Sequence, residues 1–169
     1  DAYNTAVGYN AGGSVTTGSK NVIIGGLAGD ALTTGEFNVA VGHGSLGSED
    51  AHGRNVAVGH FALADQDAGA DAYNVAVGFK AGENVTTGVQ NTIVGGMAGD
   101  ALTQGSNNTA LGYGALGAED TSSYAVAIGH NALATQNAPA DTYNVAVGKS
   151  AGYAITTGTN NTIIGGQAG

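Results

Sequence analysis

The chain has 169 residues, a net charge of −9, 31 glycines and one proline, and it lacks cysteine and tryptophan. The absence of cysteine excludes disulfides and thiolate metal sites, and with Lys20, Arg54, Lys80 and Lys149 as the only fixed cations there is no basic patch for nucleic acid. A hydrophobic fraction of 42% against 10% charged residues favours an ordered chain over a disordered glycine-rich one. No apolar run approaches the ~20 residues of a membrane span, so this segment is not expected to insert into a bilayer.

The first phrase, Asn4-Thr5-Ala6-Val7-Gly8, alternates side chains across a short strand, with Thr5 and Val7 on one face and Asn4 and Ala6 on the other. Val15-Thr16-Thr17-Gly18 follows as an expected second strand, so one coil is predicted as strand, turn, strand, turn. The phrase then returns down the chain, closing at Gly8, Gly25, Gly42, Gly59, Gly78, Gly95, Gly112, Gly129, Gly148 and Gly165, in steps of 17, 17, 17 and 19 that repeat. Four coils form one cassette, which divides the chain into 1–70, 71–140 and a partial 141–169 within a single domain, 1–169. A 17-residue unit cannot bury its apolar face alone, so burial must come from stacking on its neighbours, which predicts an all-β solenoid of about ten coils. The chain opens and closes in mid-pattern, so it is expected to be a segment of a longer fibre, with ten coils spanning about 45–50 Å.

Within each cassette the coils are of two kinds. In coils one and two the fourth position after the phrase glycine is glycine and the seventh is apolar: Gly12 with Val15, Gly29 with Leu32. In coils three and four the fourth is Leu46 or Leu63 and the seventh is Glu49 or Gln66; Leu116, Leu133, Glu119 and Gln136 repeat the exchange. Each coil is therefore expected to supply one large apolar side chain from its second half, because doubling it overfills the coil and omitting it leaves a void.

Several constellations invite a chemical reading. Asn4, Asn21, Asn38, Asn55, Asn74, Asn91, Asn108, Asn144 and Asn161 open the phrase, broken only by Ala125, and are expected to form a structural ladder at the ~4.8 Å strand spacing. The fourth coil carries two extra residues, giving the loops Asp65 to Asp71 and Thr135 to Asp141. Loops on a rigid scaffold are where recognition concentrates, so Asp65, Asp67, Asp71, Tyr73, Thr135, Asn137, Pro139, Asp141 and Tyr143 are the candidate binding residues. Glu49, Asp50, Asp65 and Asp67 could offer oxygen ligands to Ca²⁺, although a solvated acidic edge explains them more simply. His43, His52, His60 and His130 are expected at the surface. No nucleophile–base arrangement is recognisable, so no enzyme and no cofactor is expected. Thr16-Thr17, Thr33-Thr34, Thr86-Thr87 and Thr156-Thr157 suggest an ice-binding face as the alternative, yet the row fails in coils three and four.

The Asn-Val-Ala-Val-Gly phrase with its Thr-Thr-Gly turns resembles the head repeats of YadA-type trimeric autotransporter adhesins. It is also similar to the repeats of phage and marine microbial fibre proteins that often end in an endosialidase-type chaperone. The resemblance implies a left-handed parallel β-roll, three chains side by side, and an extracellular attachment fibre on a phage tail or bacterial surface, giving rigid reach and multivalent contact with a host receptor or glycan. Independently, the in-register row Ala6, Ala40, Ala57, Ala76, Ala110, Ala127 and Ala146 suggests a face along which chains approach closely, and hence a homotrimer packed on those alanines.

Overall fold

The computed structural model describes residues 2–169; Asp1, which opens the first cassette, lies outside them. Each coil contributes one three-residue strand: β1 (Thr5–Val7), β2 (Val22–Ile24), β3 (Val39–Val41), β4 (Val56–Val58), β5 (Val75–Val77), β6 (Thr92–Val94), β7 (Thr109–Leu111), β8 (Val126–Ile128), β9 (Val145–Val147) and β10 (Thr162–Ile164). They form one ten-stranded parallel sheet in chain order, with homologous residues opposite one another throughout, such as Ala40 opposite Ala57 and Val41 opposite Val58. The protein is a parallel β-solenoid, and the described residues contain no helix.

The expected second strand does not form. In the first coil the amides of both Thr16 and Gly18 converge on the Thr33 carbonyl, at 2.9 and 3.2 Å, so the ladder there collapses to a single acceptor in a bend. The threonine hydroxyls add to it: Thr16 Oγ1 donates to Thr33 O and Thr33 Oγ1 to Asp50 O, each at 3.1 Å, which consumes them in stacking the coils.

The bends are possible because the backbone turns left-handed at recurrent corners. The residue just before each phrase asparagine, from Tyr3, Lys20 and Phe37 through to Asn160, has φ between 49° and 64°, a region that costs a side-chain-bearing residue free energy. The phrase glycine answers a different need. At Gly42 (φ 135°) a Cβ would lie 2.3 Å from the Gly59 carbonyl oxygen, so no side chain fits between successive coils.

The strand faces are the reverse of the expected arrangement. Ala40, Ala57, Ala76, Ala110, Ala127 and Ala146 are completely buried inside their own chain, together with Ile23 and Ile93 of the same column. The row therefore lines the narrow interior and cannot be a face for other chains. Valine and isoleucine point outward instead, with Val22, Ile24, Val77 and Leu111 exposed. The physical reason is volume, since a coil this small has room for little more than one large side chain per layer.

That side chain comes from either of the two expected places. Leu46, Leu63, Leu116 and Leu133 are buried from the fourth position, and Leu32, Val85 and Leu102 from the seventh. The glycine at the fourth position makes way: a Cβ on Gly29 would sit 2.9 Å from Leu32 Cδ1. One consequence was not expected. The seventh position points inward in coils one to nine, so Glu49, Gln66, Glu119 and Gln136 are fully buried rather than part of a solvated edge.

Candidate functional site

The asparagine row holds the coils together, although not amide to amide. Asn38 shows the pattern: its Oδ1 accepts the Asn55 backbone N–H at 3.0 Å while its Nδ2 donates to His52 O at 3.2 Å, fastening the next coil and closing its own. Asn4, Asn21, Asn74, Asn91, Asn108 and Asn144 do the same with the carbonyl fourteen residues on. Asn161 differs, its Nδ2 donating to Asn144 Oδ1 at 3.0 Å. Ala125 can only receive, its N–H donating to Asn108 Oδ1 at 2.9 Å. Asn55 is the other exception. Its fourteenth residue is Gly69, inside the two-residue insertion, and its buried Nδ2 has no partner.

The two long loops are only partly surface features. Gln66 and Gln136 turn inward and accept Asn74 and Asn144 Nδ2 at 2.5 and 2.6 Å, whereas Asp65, Asp67, Gly69 and Ala70 are exposed. Asp67 N–H donates to Thr86 O and Asn137 N–H to Thr156 O, so each loop reaches over the following coil. Asp71 pairs with Arg54, whose guanidinium lies 5.7 Å from the Tyr73 ring centre. Tyr143 stacks on Tyr124 at 5.1 Å, and Pro139 and Asp141 lie in the exposed stretch before it. A shallow groove that includes Asp65, Thr86, Thr103, Asp120 and Asn137 connects the two loops along one edge. Thr135 is tied down through Oγ1 to Ile155 O at 3.2 Å.

Of the four carboxylates expected to gather, the structure brings together Glu49 and Asp67, adds His52, and leaves Asp50 and Asp65 out. The ligand atoms of Glu49, His52 and Asp67 all lie within 4.8 Å of one another. His52 Nδ1 is 3.8 Å from Glu49 Oε1, beyond hydrogen-bond reach. The His52 backbone is held on both sides, its N–H donating to Glu49 Oε1 at 3.1 Å and its carbonyl accepting Asn38 Nδ2 at 3.2 Å. Glu49 Oε2 and His52 Nδ1 are both buried without a hydrogen-bond partner. Burial pushes the Glu49 carboxyl up to about 7, against the opposing pull of the His52 N–H and the His52 imidazole; Asp67 and Asp50 add to the rise. His43, His60 and His130 are exposed as expected, with His43 stacked on His60 at 5.3 Å, and His52 is half-buried, at the surface but with Nδ1 turned inward. The sequence held a signal for this site. Glu49 stands seven residues after Gly42, the slot Leu32 fills in the preceding coil, and His52 follows three residues later.

The third feature is the outward sheet face. Its two columns carry only Val, Ile, Leu and Thr from β1 to β10, with no charge or amide. Aromatic and basic side chains flank it, among them Phe37, Tyr73 and Tyr143 on one side and Tyr9, Phe79 and Tyr113 on the other, all exposed. No protein-family model, no curated protein and no solved structure matches the chain.

Proposed function

We propose that this chain is a rigid segment of a trimeric extracellular attachment fibre, in which two further copies of the chain cover the outward sheet face. The observation that carries this reading is the uncharged apolar face itself, continuous over ten strands in a chain whose net charge is −9. Exposed apolar patches of that extent belong to interfaces or aggregate. An identical repeat matches that face to itself along its whole length, which favours symmetric closure over an unrelated partner. The number three is what the resemblance to adhesin heads and phage fibres implies, as is the place outside the cell. The association face is the valine side of the strands and not the alanine side.

Recognition of a receptor or glycan belongs in this reading to the fourth-coil loops, where Tyr73 and Tyr143 are about half exposed and the groove joins the two. Three copies of each weak contact multiply avidity. An ice-binding face has little support, because the row is broken in coils three and four and the hydroxyls of Thr16, Thr33, Thr34 and Thr86 are spent on carbonyls of the next coil.

Sedimentation velocity tests the assembly. The wild-type chain is expected to sediment as a trimer, and Val77→Lys with Leu111→Lys as a folded monomer with an unchanged circular dichroism spectrum. A wild-type monomer at tens of micromolar contradicts the proposal. For recognition, shortening both long loops by two residues is expected to abolish attachment to cells that the intact fibre binds, and attachment that survives places the contact elsewhere.

A further inference from the structure

We propose that Glu49, His52 and Asp67 form a binding site for one divalent transition-metal ion, which fastens the long loop of the fourth coil to the third coil. Three observations point there. The donor atoms already converge within 4.8 Å. Ligands about 2.0–2.2 Å from a tetrahedral ion lie roughly 3.4 Å apart, so closing the site needs shifts of about an ångström, the size of a side-chain adjustment. Secondly, Glu49 is completely buried, yet its Oε2 has no partner and neither has His52 Nδ1. Among the described residues there are four such atoms, and three of them, counting Asn55 Nδ2, fall in the stretch 49–55. A buried carboxylate oxygen left unpaired beside an unpaired imidazole nitrogen is costly, and a cation between them satisfies both.

The third observation is internal to the repeat. The second cassette buries Glu119 in the same slot and satisfies it with protein groups alone: Oε1 accepts the Asp120 and Ser122 N–H groups, each at 3.2 Å, and Oε2 accepts Gln136 Nε2 at 2.8 Å. Its counterparts to His52 and Asp67 are Ser122 and Asn137, neither a strong metal ligand. In the first cassette Gln66 turns its Nε2 away to Thr86 O at 2.8 Å, and among the several positions that differ between the two corners are the two whose side chains could ligate a metal beside Glu49, His52 and Asp67. The pattern is what a metal-for-glutamine exchange requires.

The donor set also selects the ion. One imidazole nitrogen with two carboxylates suits Zn²⁺ and its first-row neighbours, whereas Ca²⁺ takes six to eight oxygens. Asp67 is exposed, so water completes the coordination.

Isothermal titration of the chelator-treated full chain with Zn²⁺ and, separately, Ca²⁺ tests this. One equivalent of Zn²⁺ per chain is expected, with binding weakened by ~100-fold or more in His52→Ser with Asp67→Asn. That variant carries the side chains the second cassette already accommodates, so it should fold, and its metal-free melting temperature should stay within a few degrees of wild type. Zn²⁺ should raise the wild-type melting temperature and leave the variant's unchanged. A fold-independent check is imidazole ¹⁵N NMR on the wild-type chain, where Zn²⁺ should move the Nδ1 signal of His52 alone. Absence of binding, equal binding by the double variant, tighter binding of Ca²⁺ than Zn²⁺, or a response from His43, His60 or His130 instead would each overturn the proposal.

Discussion

Glu49 and Glu119 occupy the same slot of the same coil in successive cassettes, completely buried in both, and they are handled in opposite ways. Around Glu119 three donors close on the carboxylate, and the glutamine of the following coil supplies the last of them. Around Glu49 the equivalent glutamine faces a backbone carbonyl, one oxygen has no partner, and a histidine and an aspartate stand nearby. The comparison shows that the coil's geometry fixes where a residue sits, while the diagonal neighbours in the next coil decide what it does there. Identical slots in a repeat are identical in burial and need not be identical in chemistry.

The largest expected effect breaks the rule that both cassettes share. Gly82→Leu places a second large side chain in a coil already filled by Val85. A Cβ at that position would lie 2.9 Å from Ile93 Cδ1 and 3.2 Å from Leu63 Cδ2. Chemical denaturation should show a loss of about 3 kcal/mol, with part recovered by adding Val85→Ala. Full stability in the single variant would mean that the interior is not close-packed.

Glu119→Gln comes next, since it points an amide N–H group at the Gln136 donor or removes an acceptor from the two backbone N–H groups. About 2 kcal/mol should be lost. Glu49→Gln, by contrast, should be neutral at pH 5 and stabilising at pH 8, in chelator throughout. The sign follows from the raised carboxyl. Between the ordinary 4.5 and about 7 the folded chain keeps a proton that the unfolded chain has already lost, so the Glu49 contribution to stability falls as pH rises through that window and is level above it. Melting temperatures of wild type minus Glu49→Gln against pH should trace that fall, and a difference that rises or stays flat from pH 4.5 to 7 contradicts the buried, unpaired carboxyl.

The ladder holds an effect of that same size and, at Asn55, the smallest one. Asn91→Ala removes the acceptor for the Asn108 N–H and the donor to Gly105 O, and should cost about 2 kcal/mol. Asn55→Ala loses only the 3.1 Å bond from the Asn74 N–H and also removes an orphaned buried donor, so it should cost under ~1 kcal/mol. Equal costs in the two variants would erase the distinction.

Much of the solenoid was legible in the sequence, because glycines and asparagines that serve backbone geometry cannot move out of register. The exchange between Gly29 with Leu32 and Leu46 with Glu49 also revealed the one-large-residue rule. The direction of the strand faces was not legible from alternation, which separates Ala40 from Val39 and Val41 without saying which side is inside. Hydrophobicity pointed the wrong way, since the interior is too narrow for valine at both outward columns. Ile23 and Ile93, standing in the alanine column of coils two and six, were the signal that this column faces the core. Of the acidic cluster, Asp50, Asp65 and Asp67 are exposed as a solvated edge would be, and only Glu49 was misplaced, assigned to solvent by type although its offset put it in the slot of Leu32. His52 was grouped with the surface histidines, and its pairing with Glu49 and Asp67 shows only when the corner is set beside Ser122 and Asn137 of the second cassette.

The reversal of the strand faces is tested most directly by thiol labelling, for which a chain without native cysteine is well suited. Val77→Cys and Ala70→Cys are both exposed on the single chain. At concentrations where the chain is assembled, a maleimide probe should react rapidly at position 70 and many-fold more slowly at position 77, with the two rates converging on dilution to monomer. Equal, rapid labelling at both positions in the assembled protein would contradict burial of the valine face between chains.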